Sequence, residues 1–190
     1  MNLHFERLGM GRPLLMVHGL GANLRTWDPL LTALRGSREL ILVDLPGHGR
    51  SAPLAGRQTV EAYADALAGF VHSQRLTTAD LVGSSVGGRL VLEMARRGIG
   101  RHCVALDPGG CWRGWETRWL HWTLAASIRL VRMLRPLHPG LSRHAVTRTL
   151  LLAQLSARPW ELQPQLVVGE LQSLADTPVF DAMLRELARG

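Results

Sequence analysis

Two glycines four positions apart, Gly83 and Gly87, bracket Ser85 in the run ADLVGSSVGGRL. The five residues Gly83-Ser84-Ser85-Val86-Gly87 fit G-x-S-x-G, the pattern of a sharp turn from a buried strand into a helix. A serine at that turn sits in a strained backbone conformation. The positions two before and two after it must be small enough for strand and helix to approach closely. The flanks agree: Ala79-Asp80-Leu81-Val82 reads as the end of a strand, and Arg89–Arg97 reads as a helix stopped by Gly98. Ser85 is therefore a candidate nucleophile. The helix that follows points its free N–H groups at the place where a negative oxygen would form, which makes the backbone N–H of Val86 a candidate oxyanion donor.

Two further runs lie upstream in a compatible order. Pro13–Val17 is an apolar strand leading into His18-Gly19-Leu20-Gly21, and Arg38–Asp44 is a second strand leading into Leu45-Pro46-Gly47-His48-Gly49-Arg50-Ser51. With HGLGAN, DLPGHGRS and GSSVGG in succession, the chain resembles the α/β-hydrolase fold family, specifically its branch of small soluble serine hydrolases. The resemblance covers roughly the first 110 residues. It implies that the N–H of Leu20 is the second oxyanion donor, and that His18 and His48 hold loops by hydrogen bonds.

The coarse pattern alternates strand and helix, which predicts a mostly parallel sheet flanked by helices, an α/β fold. Asp28-Pro29 opens one helix, and Thr59 opens another toward Gln74 with Val60, Tyr63, Leu67 and Val71 on one face. His102–Asp107 is a further buried strand. From Cys111 the rhythm changes. Trp115, Trp119 and Trp122 share one helical face, Arg129, Arg132 and Arg135 lie on a charged stripe beyond them, and residues 141–157 and 178–189 read as helices. The expected organisation is 1–110 as the N-terminal part of the core and 111–190 as a helical cap. The resemblance implies that such a cap roofs the site and shapes an apolar or aromatic acyl pocket. Packing of the tryptophans between cap and core is the expected arrangement. A basic, Trp-rich helix can instead lie on a membrane surface, an arrangement not expected here because the apolar face has a core to bury against.

The family's chain order is Ser, then Asp or Glu, then His. No apolar strand, Gly-x-x-Asp loop or Gly-His pair follows Asp176, so the usual acid and base are missing and the chain reads as an incomplete hydrolase. Asp107 matches a position that some members use for the acid, but a turn cap is the commoner role. His121, His138 and His144 are the histidines the cap could offer, without supporting spacing.

Composition narrows the rest. The chain has 190 residues, 46% hydrophobic and 19% charged, enough for one sizeable core. No run of apolar residues is long enough to span a bilayer, and the start lacks a leader's apolar core, which favours the cytoplasm. Cys103 and Cys111 are expected as free thiols, and neither has metal-ligand spacing. No cofactor and no metal are expected. The net charge of +7 comes from 22 arginines with no lysine. Arginines exceed acids by 12 to 9 in residues 1–110 and by 10 to 6 beyond. So even a spread argues against a nucleic-acid stripe. Serine at the elbow points to an ester, lactone, thioester or similar acyl bond. A haloperoxidase-like enzyme and a non-catalytic binding protein are the alternatives. Oligomeric state is not legible.

Overall fold

The computed structural model describes residues 2–110 and 112–188. Five strands form one sheet: β1 (Phe5–Leu8), β2 (Arg12–Val17), β3 (Arg38–Val43), β4 (Asp80–Ser84) and β5 (Cys103–Leu106). Their spatial order is β1-β3-β2-β4-β5, with β1 antiparallel to β3 and the other pairs parallel. The sheet is thus mostly parallel, as the alternating pattern predicts. The antiparallel edge strand β1 has no counterpart in the sequence reading. Its four residues, FERL, carry two charges and only a faint alternation; Glu6 and Arg7 pair instead with Arg25 and Glu39.

Side-chain alternation splits the core into two layers. Leu15, Val17, Ile41, Val43 and Leu81 point to one face, where they meet α2 (Val60–Ser73) and α3 (Val86–Arg96). Met16, Leu40 and Leu42 point to the other, against Leu24, Trp27 and α1 (Asp28–Leu34). Thr59 caps α2 as expected, its hydroxyl accepting from the Ala62 N–H at 3.2 Å. Asp28 is the first helical residue of α1 rather than its cap. β5 ends the strand order, pairing with β4, and Val104 and Leu106 stand 52% and 43% exposed.

After β5 the described residues are helical: α4 (Trp115–Met133), α5 (His138–Leu141), α6 (Ala145–Leu152), α7 (Pro164–Asp176) and α8 (Phe180–Leu187). α7 is absent from the sequence reading, although Pro164 at its first turn and Val167, Leu171 and Leu174 at helical spacing are its signals. Ile128, Val131, Leu152, Val167, Leu171 and Phe180 form an apolar cluster among these helices. Met183 and Leu187 of α8 pack into the sheet's own core, and Leu20 touches both clusters. Thr26 donates to Glu170 of α7 at 2.8 Å, a polar tie between the layers; burial, followed by the nearby Asp28 charge, pushes the Glu170 carboxyl upward.

One expectation reverses. The tryptophans of α4 share a face, but that face looks outward: Trp115, Trp119 and Trp122 are 68%, 58% and 67% exposed. The helix turns its other side, with Leu124, Ile128 and Val131, toward the interior. Periodicity finds an apolar face; it does not say which of two apolar faces the core takes. No helix among the described residues is long and apolar enough to cross a membrane. Cys103 is in no disulfide among the described residues, and Cys111 lies outside them.

Candidate functional site

Ser85 stands between β4 and α3 with φ 54° and ψ −118°. A non-glycine residue at positive φ is held there only when its surroundings over-determine it, at a cost of about 1–3 kcal/mol. Those surroundings are main chain on three sides. The Ser85 N–H donates to Leu106 O at 2.9 Å, and Ser85 O accepts from the Gly109 N–H and the Arg89 N–H, each at 3.1 Å. A Cβ on Gly83 would lie 2.2 Å from Gly87 O, and one on Gly87 would lie 2.2 Å from Val17 O. Strand, turn and helix therefore approach more closely than any side chain would allow.

The loop after β2 passes directly over this turn. A Cβ on Gly19 would sit 3.1 Å from the Ser85 Cβ and 3.6 Å from its Oγ. Its conformation is fixed by His18, which is fully buried. The Leu45 N–H can only donate, so His18 Nε2 accepts from it at 3.0 Å, and Nδ1 carries the proton that it donates to Gly19 O at 2.7 Å. Burial, then the neighbouring His48, pushes the His18 pKa down to about 3. His48 likewise donates from Nδ1 to Pro46 O at 2.9 Å, and burial lowers its pKa. Both rings stay neutral and tie loops together, the role the resemblance implies. Asp44, 2% exposed, completes the scaffold by accepting from the Leu24 and Arg50 N–H groups at 2.8 and 3.0 Å.

Ser85, Leu20, Val86 and Gly109 line the floor of an apolar cavity of about 120 Å³. Its roof comes from α4 and α8, through Leu124, Ile128, Phe180 and Leu184. The Leu20 and Val86 N–H groups have no acceptor among the described residues. Ser85 Oγ likewise has no hydrogen-bond partner among them. Of His121, His138 and His144, only His121 lines this cavity, and its Nδ1 is buried without a partner among the described residues. His138 is spent elsewhere: it is buried, and its Nε2 donates to Val131 O at 2.9 Å. His144 is exposed at the start of α6. Asp107 is exposed in a left-handed turn with φ 46° and does not line the cavity.

The cavity's roof residues are the part that sequence reasoning misses. The signal was present, because Leu120, Leu124, Ile128 and Val131 recur at helical spacing on α4. The denser tryptophan stripe on the opposite face masks it.

A family model described as the alpha/beta hydrolase family matches residues 14–189. The chain is similar to (E)-2-((N-methylformamido)methylene)succinate hydrolase of Acinetobacter baylyi, 31% identical over 84 residues, which is 44% of this chain and 32% of that protein. It is also similar to the pimeloyl-[acyl-carrier protein] methyl ester esterase of Neisseria meningitidis serogroup A, 42% identical over 82 residues, 43% of this chain and 25% of that protein. Among solved structures, a thermophilic esterase from Thermogutta terrifontis superposes with a TM-score of 0.71 at 25% identity, over 98% of this chain and 66% of that one. The matches thus span about a quarter to a third of these curated relatives' own length.

Proposed function

The chain belongs to the alpha/beta hydrolase family, and on that premise we propose that it cleaves an ester, lactone, thioester or comparable acyl bond with Ser85 Oγ as nucleophile. The observation that carries the reading is Ser85 itself, held at φ 54° on the floor of an apolar cavity beside the His18-Gly19-Leu20 loop. In this reading the Ser85 Oγ attacks the acyl carbon, and the carbonyl oxygen becomes an oxyanion. The free N–H groups of Leu20 and Val86 receive that charge, at about 2.7–3.1 Å from where it develops. The proton of the Ser85 hydroxyl ends on the departing group, and water then adds to the acyl-Ser85 ester, releasing the free acid and restoring the hydroxyl. The apolar roof from α4 and α8 favours an apolar or aromatic acyl part.

A serine hydroxyl is a weak nucleophile without a base. Since Ser85 Oγ has no partner among the described residues, this chain by itself is expected to acylate slowly and turn over little. The same observation favours a second reading, in which the cavity binds an acyl compound without cleaving it. Incubation with p-nitrophenyl hexanoate separates the two. The hydrolytic reading expects an acyl adduct at Ser85, located by peptide mass spectrometry and absent in Ser85→Ala. Saturable, reversible binding with no adduct at Ser85 would leave only the binding reading.

A further inference from the structure

Helix α4 has two apolar faces, and among the described residues only one of them is covered. Its inner face lines the cavity through Leu124, Ile128 and Val131. On its outer face Trp115, Trp119, Trp122, Leu130 and Met133 are 68%, 58%, 67%, 43% and 70% exposed. At 100° per residue these five fall within an arc of about 80°, a continuous stripe along the whole helix. So long an apolar stripe turned toward solvent calls for an occupant.

Chemistry along the stripe identifies the occupant. Indole rings carry an apolar body and a polar N–H, the combination that settles at the boundary between acyl chains and headgroups. Arg118 and Arg129 border the stripe on one side, exposed and in no ion pair among the described residues. The contrast with their neighbours is direct: Arg132 pairs with Asp181 and Arg135 with Asp176, each at 2.8 Å. Thr123, Ser127 and Glu116 occupy the other border. An in-plane helix with an aromatic apolar face and unpaired arginines beside it matches an anionic lipid surface. The chain's net charge of +7 adds to the attraction.

We propose that the outer face of α4 docks the protein onto anionic membrane surfaces, with the tryptophans at the headgroup boundary and Arg118 and Arg129 on lipid phosphates. Docking sets the other side of the same helix, which roofs the cavity, within one helix diameter of the bilayer. Apolar acyl compounds dissolved in the membrane would then meet the cavity without crossing bulk water. This consequence rests on the function proposed for Ser85; the docking does not.

The test is co-sedimentation of the full chain with vesicles, with tryptophan emission recorded in parallel. One set of vesicles is pure phosphatidylcholine and the other contains phosphatidylglycerol. The expected result is salt-sensitive binding to the anionic vesicles with a blue-shifted emission. Arg118→Gln with Arg129→Gln should weaken that binding roughly tenfold or more, since each arginine near such a surface contributes about a fivefold preference. Trp119→Ser with Trp122→Ser should abolish the blue shift. Circular dichroism checks that both variants keep the wild-type helix content, and the wild-type result decides alone if one does not. Failure of the wild-type chain to bind anionic vesicles would overturn the proposal, as would binding that neither double variant alters. A solution dimer lost in the tryptophan variant, with no vesicle binding, would assign the face to a second copy instead. Ser85→Ala should bind vesicles like the wild type, so a missing Ser85 adduct and a missing membrane interaction remain separate outcomes.

Discussion

Gly87→Ala sets two effects of opposite sign against each other at the turn that presents Ser85. Gly87 lies in the first turn of α3, where alanine is the better helix former by about 1 kcal/mol. Propensity alone predicts stabilisation. The new methyl group, however, would stand 2.2 Å from Val17 O and 2.5 Å from His18 O. Both obstacles are main chain at the end of the central strand β2, where Val17 and His18 are fully buried. Relief demands a movement of roughly 1 Å by a strand or helix packed on both sides, in an interior as dense as an organic crystal. Overpacking costs about 1–3 kcal/mol. Because no flexible side chain can give way here, the upper end applies, and the net loss after the propensity gain is about 2 kcal/mol. At about 2–4 °C per kcal/mol for a chain of this size, the melting temperature should fall by roughly 4–8 °C. Gly169→Ala is the matched control. It lies inside α7 with nothing beyond that helix's own backbone within 4 Å of its would-be Cβ, so propensity acts unopposed and stability should rise by about 1 kcal/mol. Urea unfolding followed by circular dichroism gives both values. Equal stabilisation of the two variants would refute the close-approach argument, and with it the reason for glycine at this spacing.

Acid should weaken the fold as the pH falls below about 6.5. His18 has a folded pKa of about 3 against 6.5 in the unfolded chain, so below that higher value only the unfolded state takes up the proton. Stability is therefore level above about pH 6.5 and falls as the pH drops toward about 3, losing about 2 kcal/mol by pH 5. His48 acts in the same direction. Unfolding free energies that stay flat between about pH 7.5 and 5 would contradict this account. At the sheet edge, β5 is expected to make the chain self-associate in light scattering, and Val104→Lys should reduce that association while changing stability by less than about 0.5 kcal/mol, because the side chain is half exposed on an edge strand. Undiminished association would show that β5 is not the adhesive edge.

The parts of this molecule that are legible in its sequence are those written in local main-chain requirements. Gly83, Ser85 and Gly87 announce the strand–helix turn because main chain leaves no room for a side chain at either glycine: Gly83 faces Gly87 O four residues on, and Gly87 faces Val17 O at the end of the adjoining strand. β2 to β5 announce themselves as apolar runs. β1 does not, because four residues with Glu6 and Arg7 at their centre form a strand only when β3 is there to pair with them. α7 has the right period, but Gly169 and the surrounding amides dilute it. The tryptophans of α4 mislead for a different reason. A helix with two apolar faces must bury one and leave the other, and the outcome depends on which residues fit around the cavity. Leu124, Ile128 and Val131 fill that space from the inner face, and the bulkier indoles are left outside.

Ser85, the proposed nucleophile, is unevenly specified. The backbone of Ser85 is held by hydrogen bonds to Leu106, Gly109 and Arg89 and by glycine contacts with β2, so its strained torsions persist whatever approaches its hydroxyl. The hydroxyl, by contrast, has no partner among the described residues. These two conditions bear on different steps of the proposed acyl transfer. In the proposed reaction, preset torsions and the free N–H groups of Leu20 and Val86 would act on the charge that develops as a bond forms at Oγ, with no rearrangement at that moment. Proton removal needs a base at hydrogen-bond distance, which the fold around Ser85 does not supply from His18 or His48, because both rings are neutral and committed to loop carbonyls. A reactive ester whose leaving group departs unaided should therefore reveal Ser85, while an unactivated alkyl ester should not. The ratio of the two rates, rather than either rate alone, measures how much of the site's chemistry resides in the backbone.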